Sequence, residues 1–199
     1  MTREMIFALA LGYLLGSIPF GLVLTRLAGR GDIRAIGSHS IGATNVLRTG
    51  SKRLAAATLL LDCLKGTAAV VVAQLLLGEI TMPFAALGVL VGHLYPVWLG
   101  FRGGKGVATL FGILIALLWP AALVYAAIWI FLLATLRISS LAGMTAAISA
   151  PIVALALHSS FFPLLLGFAL LVLWKHRENI LRLRKGTEPR IGKKNSSTA

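Results

Sequence analysis

The chain has 199 residues, 58% of them hydrophobic and only 13% charged, with a mean hydropathy of +0.90 and a formal net charge of +13. A soluble domain carries about 25% charged residues and a membrane-crossing helix needs about 20 apolar ones, so this composition excludes an ordinary soluble domain and indicates an all-α integral membrane protein. The positive charge does not mark a nucleic-acid binder, because the basic residues lie in loops between apolar runs and in the tail, where membrane topology alone puts them.

Seven apolar runs read as a bundle of transmembrane helices: Met5–Leu27, Leu54–Leu77, Met82–Leu99, Val107–Trp119, Ala121–Leu136, Leu141–Leu157 and Phe161–Trp174. The first, in "MTREMIFALALGYLLGSIPFG", lacks a clearly basic start and a small-residue cleavage site, so it reads as a retained span rather than a signal peptide. The single cysteine, Cys63, lies inside the second run and reads as a small buried hydrophobe. Several runs fall short of about 20 residues; polar ends and local bilayer thinning accommodate them.

Residues 107–136 could form one long helix, but Arg102 and Lys105 precede them and Arg137 follows, so both ends face the cytoplasm. A hairpin does that, with its turn at Trp119-Pro120. Seven spans put the N-terminus outside and the C-terminus in the cytoplasm; of the 19 Lys and Arg, all but Arg3 and Lys65 are then cytoplasmic. Residues 1–188 form a single membrane domain and 189–199 a disordered cytoplasmic tail.

Three polar clusters gather at the cytoplasmic side. In "GSHSIGATNVLRTG", 37–50, Ser40 is placed to cap a helix from Ile41 to Thr49, with Gly42, Thr44 and Asn45 near its start and Arg48 one turn beyond. Backbone N–H groups at such a helix start suit an anion. "FRGGKGVAT", 101–109, is not a Walker A loop, because Leu99 stands at its first glycine position and Gly106 follows Lys105. Its glycines Gly103, Gly104 and Gly106 still permit close backbone approach, Arg102 and Lys105 supply charge, and Thr109 follows one turn on. In "WKHRENILRLRKGTE", 174–188, His176 and Asn179 share a helical face. Each cluster has a plainer reading as well: a capped interfacial helix, a positive-inside loop, or a basic helix lying on anionic lipid.

Deeper in the bundle, Asp62 and Lys65 are i,i+3 partners that neutralise each other, and His93 reads as a packed histidine before a proline. Ser140 lies on the cytoplasmic side, able to donate to a phosphate. Metal signatures such as His-Glu-x-x-His and Cys-x-x-Cys, the Gly-x-Ser-x-Gly elbow and the His-x4-Asp pairing are all absent from the sequence, which calls for no metal or cofactor.

Together the three clusters resemble, in order and over essentially residues 1–190, the motif regions of the bacterial acyl-phosphate:glycerol-3-phosphate acyltransferases, and "DCLKG" at 62–66 resembles the family's Asp-x-x-Lys-Gly. The resemblance implies transfer of a fatty acyl group from acyl phosphate to the 1-hydroxyl of glycerol 3-phosphate, giving lysophosphatidate and phosphate in phospholipid biosynthesis. It implies a monomer in the bacterial cytoplasmic membrane, with lipid around it and the active site facing the cytoplasm. Carried over, Ser38, Arg48, Lys105, His176 and Asn179 are catalytic, while Asp62, Lys65, His93 and Glu188 are structural near the site. Gly42, Thr44, Asn45, Arg102, Gly103, Gly104, Gly106, Thr109 and Ser140 are the expected phosphate-binding set. Position 40 departs from the family, which commonly has asparagine where this chain has Ser40.

An acyl phosphate is already activated, so the implied reaction requires neither a covalent serine nor a metal. It does require two phosphates held close together, with either a substrate phosphate or His176 accepting the hydroxyl proton. A transporter of a phosphorylated solute, with Asp62, Lys65 and His93 along its path, is the competing class; the absence of inverted repeats and the one-sided clusters speak against it.

Overall fold

The computed structural model describes residues 1–192, and among these every regular element is helical. Pro19 has no N–H with which to continue a helix, and the first apolar run, expected as one span, divides there into α1 (Arg3–Gly16) and α2 (Phe20–Leu27). The carbonyls freed at the break find partners from elsewhere: Trp98 Nε1 donates to Ser17 O at 2.7 Å and Lys65 Nζ to Ile18 O at 2.8 Å.

The expected helix over 41–49 contracts to one turn, α3 (Ala43–Leu47), with Gly42 rather than Ser40 at its N-cap. The Ser40 hydroxyl instead accepts the Gly42 N–H at 3.4 Å, outside the helix. A small apolar cluster of Leu22, Ile33, Ile41, Val46 and Ala55 fastens this loop to the neighbouring helices.

Ser51 caps α4 (Lys52–Leu77), the longest helix at 26 residues. Then follow α5 (Met82–Leu94), α6 (Val107–Leu117), α7 (Trp119–Leu136), α8 (Ser139–Ala156), α9 (Phe162–Lys175) and α10 (Arg177–Arg184). Only Leu118 separates α6 from α7, yet the chain doubles back there. Tyr125 OH donates to Val107 O at 2.9 Å and stacks on Phe111 at 5.9 Å between ring centroids. In one continuous helix, Val107 and Tyr125 would lie about 27 Å apart along the axis.

Five segments are long and apolar enough to cross a membrane, Arg3–Leu27, Lys52–Leu77, Glu79–Leu99, Trp119–Leu136 and Ser139–Ala156, while Val107–Leu117 and Phe162–Lys175 are shorter apolar helices. Outward-facing Leu75, Leu123, Phe131 and Leu170 are all more than half exposed, as lipid-facing side chains are. The main core, built on Leu90, Leu110, Ile113, Leu114, Tyr125 and Phe168, joins α5 through α9. α1 lies directly on α5, where any Cβ on Gly12, Gly16, Gly88 or Gly92 would strike backbone of the facing helix.

Candidate active site

A cavity of about 590 Å³ opens where the loop before α3, the loop before α6, and α10 with the residues after it come together. Its lining takes in Ser38, Gly42, Thr44, Asn45 and Arg48 from the first cluster, Lys105 and Gly106 from the second, and His176, Asn179 and Glu188 from the third. Asp62, His93 and Ser140 complete the polar wall; Leu47, Leu59, Val107 and Trp129 give it an apolar side.

The first wall depends on Asn45, which is 1% exposed. Its Nδ2 donates to Ile33 O at 2.7 Å and Ser40 O at 2.8 Å, and its Oδ1 accepts the Ser38 N–H at 3.1 Å. Both amide hydrogens are therefore spent inside the loop, and Asn45 shapes the wall instead of offering a donor to a phosphate. Gly37, at φ 59°, lets Arg48 cross the loop: a Cβ there would stand 2.5 Å from both Arg48 Cδ and Asn45 Oδ1. Arg48 has no acidic partner among the described residues, so its charge is available to the cavity.

The glycine loop works differently from the sequence expectation. Gly103 N–H donates to Leu94 O at 3.2 Å and Gly104 N–H to His93 O at 3.0 Å, so these amides fasten the loop to the end of α5 and are not free for an anion. Neither glycine lines the cavity, and Arg102 is exposed outside it. Thr109 is also displaced: it is fully buried where its backbone meets Gly66 of α4. Lys105 does enter the cavity, and its ammonium donates to Asn179 Oδ1 at 2.5 Å. Burial, aided by the charges of Arg182 and Arg48, pushes its pKa down to about 8 against the opposing pull of Glu188 and Glu178.

From Lys105 the polar chain runs through Asn179, whose Nδ2 donates to Glu188 Oε1 at 2.6 Å. That carboxylate also accepts from Ser140 Oγ at 2.6 Å and from Arg182 Nε at 2.7 Å. Ser140 was expected to donate to a phosphate; its hydroxyl is committed to Glu188 instead. Burial pushes the Glu188 pKa up, but the three donors outweigh it and hold the carboxyl below its usual range.

His176 sits between α9 and α10, 2% exposed, with Nδ1 2.8 Å from Val172 O. A carbonyl can only accept, so Nδ1 carries the proton and Nε2 is left as the acceptor. Burial, with Lys105 nearby, pushes its pKa down to about 4, so the ring is neutral at physiological pH.

Arg182 lies in the segment whose plainer reading was a basic helix on anionic lipid, and residues 189–192 were expected in a disordered tail. In the structure Arg182 pairs with Glu188, while Pro189, Arg190, Ile191 and Gly192 border the cavity, with Ile191 N–H donating to Arg137 O at 2.8 Å. The remainder of the expected tail, residues 193–199, lies outside the described residues. The i,i+3 spacing of Asn179 and Arg182 was the available signal for Arg182. Trp129, inside an apolar run, carried none.

The fold and this cavity define a membrane-embedded helical protein with a cationic site set against apolar surface. The family model described as glycerol-3-phosphate acyltransferase matches residues 6–186. A glycerol-3-phosphate acyltransferase of Mesorhizobium japonicum is 57% identical over 195 residues, covering 98% of this chain and 100% of the relative. One of Brucella anthropi is 56% identical, covering 98% and 96%. The crystal structure of PlsY (YgiH), an integral membrane glycerol 3-phosphate acyltransferase, in its glycerol 3-phosphate form superposes with a TM-score of 0.89 at 38% identity, covering 94% of this chain and 96% of that one. Its lysophosphatidic acid form gives 0.86 at 36% identity, covering 94% and 95%. The chain belongs to the glycerol-3-phosphate acyltransferase family and is an enzyme of that class.

Proposed function

We propose that the cavity transfers a fatty acyl group from acyl phosphate to the 1-hydroxyl of glycerol 3-phosphate, releasing 1-acylglycerol 3-phosphate and inorganic phosphate. The observation that carries this reading is the juxtaposition of two cationic side chains with no carboxylate partner among the described residues, Lys105 and Arg48, with an apolar wall of Leu47, Leu59, Val107 and Trp129 in one cavity. Soluble phosphates and a fatty chain thereby meet without either leaving its own solvent. The glycerol 3-phosphate and lysophosphatidic acid forms of the solved relative support the acceptor and the product.

In the proposed step the glycerol oxygen attacks the acyl carbonyl carbon, the bond from that carbon to the phosphate oxygen breaks, and the electron pair leaves with phosphate. Lys105 and Arg48 balance the charge on the two phosphates and hold them together. The hydroxyl proton passes to a substrate phosphate. A phosphate monoester has a second pKa of about 6, which makes it the stronger base beside a histidine whose pKa is about 4. His176 orients the hydroxyl through its unprotonated Nε2, Ser38 contacts the reacting group, and Asn179 holds the Lys105 ammonium. Gly42, Thr44 and Gly106 border the phosphates.

The proposed setting is the bacterial cytoplasmic membrane, crossed seven times by a monomer with its N-terminus outside and the cavity facing the cytoplasm. α6, at 11 residues, rises only about 16 Å. Local bilayer thinning accommodates so short a helix. A charge-assisted hydrogen bond contributes about 1.5–3 kcal/mol, so Arg48→Ala and Lys105→Ala should each lower kcat/KM for glycerol 3-phosphate by about 10- to 100-fold. Unchanged kinetics in both variants would remove the phosphate-holding role.

A further inference from the structure

His93 lies in the last turn of α5 and is 3% exposed, yet its side chain is not simply packed. Gly104 abuts the Nε2 end of its ring: for a Cβ built on Gly104, the three nearest atoms are Nε2, Cε1 and Cδ2 of His93, all in overlap or close to it. At that end of the imidazole there is room for glycine alone. The backbone says the same, since the Gly104 N–H is bonded to His93 O at 3.0 Å and the Gly103 N–H to Leu94 O at 3.2 Å. Carbonyls in the last turn of a helix have no partner within it, and the glycine pair supplies them. Lys175 Nζ reaches Leu94 O as well, at 3.1 Å, drawing the end of α9 to the same point.

Behind the ring stands a second layer. His93 Nδ1 is buried without a hydrogen bond and faces Asp62 Oδ1 at 3.7 Å. Asp62 is 2.7 Å from Lys65 Nζ, and Lys65 donates to Ile18 O at the break between α1 and α2. Imidazole, carboxylate and ammonium thus form a buried layer across α4 and α5, and the residue next to Gly104 is Lys105.

We infer that His93 is a positioning residue for the reaction: its ring, held from behind by Asp62 and Lys65, sets the depth at which the Gly103–Gly104 loop seats Lys105 against Asn179. His93 touches no substrate on this reading, and the inference rests on Lys105 as a phosphate-holding group. A displacement of about 1 Å in a positioned group costs up to about 100-fold in rate, which is the scale on which the backing acts.

The test is a pair of comparisons on the purified full-length enzyme. His93→Ala should raise KM for glycerol 3-phosphate about tenfold, more than it lowers kcat. It should also move the alkaline limb of kcat/KM upward from about 8, because a Lys105 loosened from its buried seat regains an ordinary ammonium pKa. Arg48, His176, Glu178, Asn179, Arg182 and Glu188, which face or surround Lys105, are unaltered in this variant, so the limb reports the seat of the lysine. His93→Gln, which keeps a flat polar group under the loop, should restore most of the KM.

In the second comparison, Gly104→Ala alone should cost about tenfold or more in kcat/KM but little when added to His93→Ala, where the new methyl has space. An equal cost of Gly104→Ala in both backgrounds, or an unmoved limb and KM in a His93→Ala enzyme that melts like the wild type, overturns the inference. If His93→Ala does not fold, Asp62→Asn, which keeps the ring and removes its charged neighbour, is read for the same limb with the same two outcomes. Lys105→Ala separates the two levels: should it leave KM unchanged, the role given to Lys105 fails; should it act while the His93 and Asp62 variants do not, only the positioning role fails.

Discussion

Glu188→Ala removes the one acceptor shared by Ser140, Asn179 and Arg182. A hydrogen bond to a charged group contributes about 1.5–3 kcal/mol, and breaking a buried ion pair costs about 3–5 kcal/mol. The Glu188 side chain is 6% exposed but that of Arg182 is 34%, so water screens part of the pair and the lower figure applies. We expect a loss of about 3 kcal/mol, or about 6–12 °C in Tm for a chain of this size.

A second effect separates this variant from simple destabilisation. Without Glu188, the Asn179 amide loses the bond that aims its Oδ1 at Lys105, and Lys105 loses a negative neighbour that favours its charged form. The alkaline limb of kcat/KM, expected near 8 in the wild type from the Lys105 pKa, should therefore fall in Glu188→Ala, and KM for glycerol 3-phosphate should rise. Thermal unfolding in detergent and kcat/KM between about pH 6 and 9.5 measure the two effects. A Glu188→Ala enzyme with wild-type Tm and an unmoved limb would refute the chain from Glu188 through Asn179 to Lys105.

Lys105→Arg should abolish the alkaline limb, since a guanidinium stays protonated well above the working range, while lowering kcat/KM at neutral pH; a limb that persists near 8 assigns it to another group. His176 has a folded pKa of about 4 against an ordinary 6.5, so the fold favours the neutral ring. Its contribution to stability is complete above about 6.5 and is lost as pH falls toward about 4; at 1.36 kcal/mol per unit this amounts to about 3 kcal/mol. Thermal unfolding across that interval should decline less steeply in His176→Gln than in the wild type. Gly186→Cys, on the exposed turn after α10, should react with a membrane-impermeant thiol reagent in inside-out vesicles and not in right-side-out ones; the reverse pattern would invert the proposed topology.

Much of the fold was legible because its signals are local. An apolar run of helix length declares itself through composition, and Trp119-Pro120 with basic residues at both flanks marked the reversal that Tyr125 and Val107 display. Pro19 was equally visible, but its consequence was not: a broken helix is tolerable only if its carbonyls find partners, and those come from Trp98 and Lys65, far along the chain. The site divides in the same way. Clusters on loops at one end of the bundle were bound to meet, and Arg48, Lys105, His176 and Asn179 do line one cavity.

What each polar group does there was hidden, because a donor's availability depends on contacts with no sequence period. Asn45 and Ser140 look like phosphate donors until their hydrogens are traced to Ile33 O, Ser40 O and Glu188. The amides of Gly103 and Gly104 look like a cradle until they are found on the end of α5. Which nitrogen of His176 carries its proton was equally hidden, because the bond to Val172 O that fixes it is a tertiary detail of the α9–α10 junction.

The most direct measurement is turnover by the purified protein, in detergent or liposomes, given acyl phosphate and glycerol 3-phosphate with no acyl thioester present. We expect 1-acylglycerol 3-phosphate and inorganic phosphate in equal amounts, with the product lost in Lys105→Ala. No product from acyl phosphate, alongside product from an acyl thioester under the same conditions, would contradict the proposed reaction.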